Sequence, residues 1–164
     1  MKSGLLLSII FLISLTSYSQ KVNRWSSEEK AVLEIVDLFF EGMANRDTAL
    51  LNSIMTPEGR YYGIHETNGD WTEHTASHER FIDGLTKETD LIQERIWNPE
   101  IKVHKTIAMV WAPYDIYANG KFMHCGIDAF SLIKTNEEWK IAGTVFTMEP
   151  EGCEESPLGP IKGE

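Results

Sequence analysis

Residues 107–149 read IAMVWAPYDIYANGKFMHCGIDAFSLIKTNEEWKIAGTVFTME. Three runs rich in β-branched and aromatic residues are interrupted only at Ala118-Asn119-Gly120 and at Thr135-Asn136-Glu137. Asn-Gly between apolar runs is the strongest short-range hairpin signal, because both residues tolerate positive φ. The stretch therefore reads as a three-stranded antiparallel meander. In its middle strand His124, Gly126, Asp128, Phe130 and Leu132 share one face by the period-two rule, and Met123, Cys125, Ile127, Ala129 and Ile133 share the other. Both faces are largely apolar, so the strand is expected to be covered on both sides. A His and an Asp on a covered face must be hydrogen-bonded, paired or turned to a cavity, since an unsatisfied buried polar group costs about 1–3 kcal/mol. With Asn119-Gly120 as the turn, His124 falls opposite Tyr114 and Asp128 opposite Val110.

On the N-terminal side of the meander, residues 91–97 and 100–106 read as two more strands, parted by Asn98-Pro99. Residues 59–66 alternate Tyr61, Gly63 and His65 against Tyr62, Ile64 and Glu66 and read as a strand, whereas residues 67–75 read as a loop carrying Trp71 and His74. Ser77 is placed to cap a short helix through Phe81, Ile82 and Leu85. Near the start, Ser26-Ser27-Glu28-Glu29 offers a capping box. The helix it opens carries Val32, Ile35, Val36, Phe39, Phe40 and Met43 on one broad face, which reads as core. Asn45-Arg46-Asp47 breaks that helix, and Asp47 can cap a second short one ended by Thr56-Pro57. The pattern is α+β: N-terminal helices packed on a strongly curved, mostly antiparallel sheet, giving a cone with one internal cavity.

Charge and cysteines bound the partners and the compartment. The chain has 25 acidic against 15 basic residues, a net charge of −10. An acidic chain without a basic stripe argues against nucleic acid or an anionic membrane surface as partner. Lys2, an apolar run over residues 5–15, and the small residues Ser17 and Ser19 have the order of a secretory signal peptide, with cleavage between Ser19 and Gln20. The run is short of the roughly 20 residues a membrane span needs. The organisation is thus a signal peptide over 1–19, one domain over 20–149, and a Pro-, Gly- and Glu-rich tail over 150–164 with the composition of a disordered segment. Export places the mature protein in the periplasm or outside the cell, where a disulfide is permitted. Cys153, however, falls about six residues, roughly 20 Å, beyond the position opposite Cys125 if the strand runs straight. Pro150 and Gly152 could turn the chain back, but two free thiols is the expectation.

Asp128 and His124 stand about 13 Å apart along one strand, too far for a directly bonded dyad. They would touch different parts of a ligand. His124 beside Tyr114 is the candidate proton-handling pair, because an imidazole titrates near neutrality and a phenol can donate to an oxyanion; the bland alternative is a satisfied cross-strand contact. Asp128 could be a general base with a pKa raised by burial, or a carboxylate tied to backbone amides or a rim lysine. Tyr61, His65, Trp71, Trp97, Trp111 and Phe130 are the candidate ligand-binding residues, with plain core the stronger reading for Trp111. His74 and His78 lack an acidic residue at metalloprotease spacing, so neither a metal nor a cofactor is expected.

The helix pair around Asn45-Arg46-Asp47, together with Trp111-Ala-Pro-Tyr-Asp-Ile-Tyr, His124-Cys-Gly-Ile-Asp128 and Trp139-Lys-Ile141, resembles the nuclear transport factor 2-like superfamily. The likeness is to its bacterial lumazine-binding-like, limonene-epoxide-hydrolase and ketosteroid-isomerase relatives, and it spans residues 26–149. What the resemblance implies is a cone with a pocket. Family enzymes carry out proton transfer, dehydration, epoxide opening or cyclisation with Asp, His and Tyr in the cone, while many members only bind. Three function classes follow, in this order: an exported module that binds a small, partly apolar molecule; a cofactor-independent dehydratase, isomerase, cyclase or epoxide hydrolase using His124, Tyr114 and Asp128; and a structural module, with its cavity filled and a second copy of the chain as partner.

Overall fold

The computed structural model describes residues 25–67 and 69–161; the signal peptide expected over residues 1–19 lies outside them. Helix α1, Ser27–Asn45, opens on the capping box. Ser26 Oγ accepts from the Glu29 amide and the Glu29 carboxylate accepts from the Ser26 amide, satisfying two otherwise orphan donors. It ends at Arg46 in the left-handed conformation, and Asp47 caps α2, Thr48–Ile54. Strands β1, Met55–Thr67, and β2, Asp70–Ser77, form a hairpin. Ser77 then caps α3, His78–Leu85. The rest of the chain is strand: β3, Ile92–Ile96; β4, Glu100–His104; β5, Ile107–Ala118; β6, Lys121–Thr135; and β7, Glu138–Met148.

The sheet order is β2-β1-β7-β6-β5-β3, with β4 following β3 along the same edge of β5. All pairings are antiparallel except β1 with β7. Fifteen-residue β6 and twelve-residue β5 are too long to stay flat, since strands carry a right-handed twist. Bulges add curvature where β5 meets β6, near Met123, and where β6 meets β7, near Ala142. The sheet curls without closing, and the helices cover its inner face at one end. There Val32, Val36, Phe39 and Met43 of α1 pack with Val110, Phe130, Leu132 and Ile141 of the meander. Glu28 ties the start of α1 to the sheet by accepting from Lys134 Nζ and from Trp139 Nε1.

Several expectations are corrected. Residues 70–75, expected in a loop, belong to strand β2: six of its eight residues are exposed, so no apolar alternation marks it, and backbone pairing with β1 forms it as an edge. The β5–β6 register is displaced by two residues. The turn pairs Ala118 with Lys121, and the bulge at Met123 consumes one residue more, so His124 lies opposite Ile116, Tyr114 opposite Gly126, and Asp128 opposite Ala112. A two-residue shift preserves parity, which is why the face assignment survives. The cysteines are bridged, with Cα atoms 6.0 Å apart. Glu149, only four residues before Cys153, pairs with Cys125, and beyond it Pro150 and Gly152, the latter at φ +81°, bring Cys153 back alongside. Over residues 150–161 the tail thus has neither helix nor strand yet is tethered twice, by that disulfide and by Arg95 Nη2 donating to the Gly159 carbonyl.

Candidate functional site

Strand parity sends Tyr114 and Ile116 of β5, and His124, Asp128 and Phe130 of β6, to the concave side. With Glu94 of β3 and Thr144 and Phe146 of β7 they border a cavity of about 780 Å³. Phe39 and Met43 of α1 and Phe81 of α3 wall its helical side, and Tyr61 comes in from β1. The walls are an aromatic cluster: Phe39 meets Phe81 and Phe130, and Tyr61 meets Phe81 and Phe146. The exposed Glu73, His74, Arg80 and Glu88 form the rim.

Two polar pairs interrupt this apolar lining. In the first, the Tyr114 hydroxyl donates to the Thr147 carbonyl at 2.6 Å and lies 3.0 Å from His124 Nδ1. A phenol has one proton, so Nδ1–H must donate to the phenol oxygen, leaving Nε2 as the basic nitrogen of a neutral imidazole. The two residues are diagonal rather than directly opposite neighbours, within reach for aromatic side chains. Gly126 makes the arrangement possible: a Cβ there would come within 2.2 Å of the Thr147 oxygen that receives the Tyr114 proton. Burial lowers the His124 pKa, and so does nearby His65. Burial, with Glu94, Asp128 and Glu149, raises that of Tyr114 far above the phenol range. Tyr114 therefore stays neutral with its proton committed to the backbone, so the donor to an oxyanion expected from the sequence is already in use.

The second pair is Glu94 with Asp128. Asp128 is 2% exposed, and its Oδ2 is buried without a hydrogen-bond partner. The neighbour of the Asp128 side chain is another carboxyl, Glu94, close enough for a hydrogen bond when one of the two is protonated, and itself part of the cavity wall. Two carboxylates cannot bond unless one keeps a proton. Burial, partly offset by the hydrogen bond from Glu94, raises Asp128 to about 7. Burial and the neighbouring Asp128 and Asp115 charges raise Glu94 well above the carboxylate range. The pair is thus a buried carboxyl dyad that retains a proton near neutrality.

Of the residues singled out from sequence, Tyr114, His124, Asp128, Phe130 and Tyr61 line this cavity. His65 stands behind His124, near enough to affect its charge without lining the cavity itself. The three tryptophans are elsewhere. Trp71, 74% exposed on edge strand β2, borders a separate groove with Glu66, Glu149 and Glu151. Trp97 is buried but does not reach the cavity. Trp111 is neither lining nor core: as an odd-numbered residue of β5 it is 50% exposed on the convex face. The residue that sequence reasoning missed is Glu94. It sits in QERI, where charges on both sides of the strand hide the alternation that would have marked it as inward-facing.

The sequence of residues 27–147 matches the family described as "Putative lumazine-binding". This chain belongs to that family. The lumazine-binding-like fold is that of the nuclear transport factor 2-like superfamily, as the structural likenesses bear out. A conserved protein from Planctomyces limnophilus is similar over 76% of this chain and 98% of its own, with a TM-score of 0.64 and 16% identity. A nuclear transport factor 2-like protein from Cytophaga hutchinsonii covers 75% of this chain and 99% of its own, with a TM-score of 0.62 and 12% identity. One from Streptomyces avermitilis, called a "putative dehydratase", covers 74% and 95%, with a TM-score of 0.57 and 16% identity. Identities this low speak for the fold alone. No curated protein sequence matches the chain. What distinguishes this lumazine-binding-like chain must therefore come from its own cavity, above all from the Glu94–Asp128 dyad.

Proposed function

We propose that this protein binds a small, partly apolar molecule inside the cone, and does so outside the cytoplasm. The observation that carries the reading is the cavity. Its volume of about 780 Å³ falls within the range of about 300–1,000 Å³ typical of small-molecule sites. Its aromatic walls with a few convergent polar groups are the lining such sites use. The family description points the same way. Export is supported by the leader-like order of the first 19 residues and by the Cys125–Cys153 bridge, which suits an oxidising compartment. The test is mass spectrometry of small molecules released on denaturing protein purified from its native compartment. A stoichiometric compound lost in a Phe81→Glu variant is expected; if nothing is retained and no aromatic probe is displaceable from the cavity, the reading fails.

A specific observation also favours a second reading, a cofactor-independent acid–base enzyme using His124 and Asp128, with Tyr114 holding the His124 ring in place. His124 Nε2 is left as a free base, and the dyad can accept or release a proton near neutrality. Turnover of a co-purified compound by the wild type and not by His124→Gln would support it.

A further inference from the structure

The charges around the dyad say what kind of molecule the cavity fits. The lining groups that can carry charge are Tyr61 on β1, Glu73 and His74 on β2, Arg80 on α3, Glu88 just after α3, Glu94 on β3, Tyr114 on β5, and His124 and Asp128 on β6. Helix α1 contributes only Phe39 and Met43, and β7 only uncharged side chains. Among the described residues that line the cavity the sole permanent cation is Arg80, which is exposed at the rim. The deep end therefore holds two carboxyls and no cation. Arg95, the neighbour of Glu94 in sequence, alternates to the convex face and is spent on Asp115.

A buried carboxyl without a positive partner is costly, and proteins normally pair such a group or hold it protonated. Here the partner of Asp128 is another carboxyl and not a cation, and Asp128 borders an open volume. Glu94 stands at the same polar end, part of its surface still accessible.

Resting on the binding function proposed above, we propose that the ligand is a small organic cation, an amine or amidine carried on an aromatic or aliphatic body, with its charged nitrogen against Glu94 and Asp128 behind it. The nitrogen supplies the donors and the charge that the dyad lacks, and the body fills the aromatic walls of Phe81, Phe130 and Phe146. Asp128, almost wholly buried, acts as a positioning residue through Glu94. Binding carries a proton signature: a cation favours the ionised dyad, so the shared proton is released as the ligand enters.

The experiment uses the full mature chain and a fragment set in which each aromatic body is present in aminoethyl, hydroxyethyl and carboxyethyl forms, measured by ligand-observed NMR at pH 7. The aminoethyl forms should bind at least about tenfold tighter than their hydroxyethyl counterparts, a difference of about 1.4 kcal/mol. Calorimetry of the best amine in buffers of different ionisation enthalpy should show proton release. Glu94→Gln should abolish the preference for amines while keeping affinity for the neutral bodies; should that variant not fold, the proton release of the wild type still decides. Equal or tighter binding of the alcohols or acids, or amine binding without proton release, overturns the cation proposal and leaves the cavity reading standing. If no member of any form binds, the cavity reading itself falls.

Discussion

Asp115 and Asp128 are both buried, at 4% and 2% exposure, on adjacent strands of one sheet, yet they sit in opposite circumstances. Asp115 faces the convex side and receives a two-pronged bond from Arg95, with Nε to Oδ1 at 2.8 Å and Nη2 to Oδ2 at 2.5 Å. The tail, tied to the same Arg95 through Gly159, runs beside it. Asp128 faces the concave side and receives only Glu94. A single dipeptide, Glu94-Arg95, makes the difference: strand alternation sends its cation outward to complete a structural ion pair and its anion inward to create an incomplete one. Satisfied burial holds the fold together. Unsatisfied burial beside an open cavity marks the place where a further molecule belongs.

Perturbing the two faces in parallel tests the contrast, and the largest effect is expected from packing. Phe130→Ala, at a 1% exposed position against Phe39 and Phe40, should cost about 3–5 kcal/mol in urea unfolding. Trp111→Ala, across the β5–β6 pair on the convex face and 50% exposed, should cost under about 1 kcal/mol. Equal losses would mean that the convex face is covered in solution. Next, Arg95→Met should destabilise by about 3 kcal/mol, because it leaves Asp115 buried without its partner. Cys153→Ser, which releases the tail from Cys125, should cost about 2–3 kcal/mol by equilibrium denaturation, read without reductant. A change below about 0.5 kcal/mol would show that the tail contributes nothing to the convex face.

The smallest expected shift has the opposite sign. Asp128→Asn removes a carboxyl whose partner is another carboxyl and gives Glu94 an amide to bond, so at pH 8 it should be neutral or stabilising by about 1 kcal/mol. Its pH dependence follows from linkage. Because folding raises the Asp128 pKa from 3.8 to about 7, the native state binds more protons than the unfolded one across that window, and stability falls as pH rises through it. Glu94 acts in the same direction. His124 and His78, both lowered by burial, act oppositely as pH falls below about 6.5, since the unfolded chain then binds more protons. The difference between wild type and Asp128→Asn isolates the dyad: it should widen from pH 4 to pH 7 and then level off. A flat difference would show that Asp128 is an ordinary carboxylate.

The sequence made the fold legible where local chemistry and periodicity agreed. Ser26 and Glu29, Asp47, Ser77 and Asn119-Gly120 mark real boundaries because each satisfies a backbone group or adopts a positive φ at that point. What stayed hidden depends on non-local geometry. The bulge at Met123, which leaves no composition signal, accounts for one residue of the two-residue displacement that puts His124 opposite Ile116 and not Tyr114, though on the expected face. The bridge of Cys125 to Cys153 needed the turn after Glu149, which Pro150 and Gly152 permit but do not dictate. Half of the candidate site, Asp128 and His124, could be read from one strand. Glu94 comes from a strand that pairs with β5 rather than with β6, and only the curl of the sheet carries it to Asp128.

A carbon-13 NMR titration of the Asp128 and Glu94 side-chain carboxyls in the ligand-free protein decides whether the concave face holds a carboxyl dyad sharing a proton, in contrast to the completed ion pair of the convex face. The dyad should lose its first proton near pH 7, with both carboxyl signals moving together, and Glu94→Gln should change the Asp128 titration. Two independent titrations near pH 4, unaffected by the Glu94 substitution, would contradict the account.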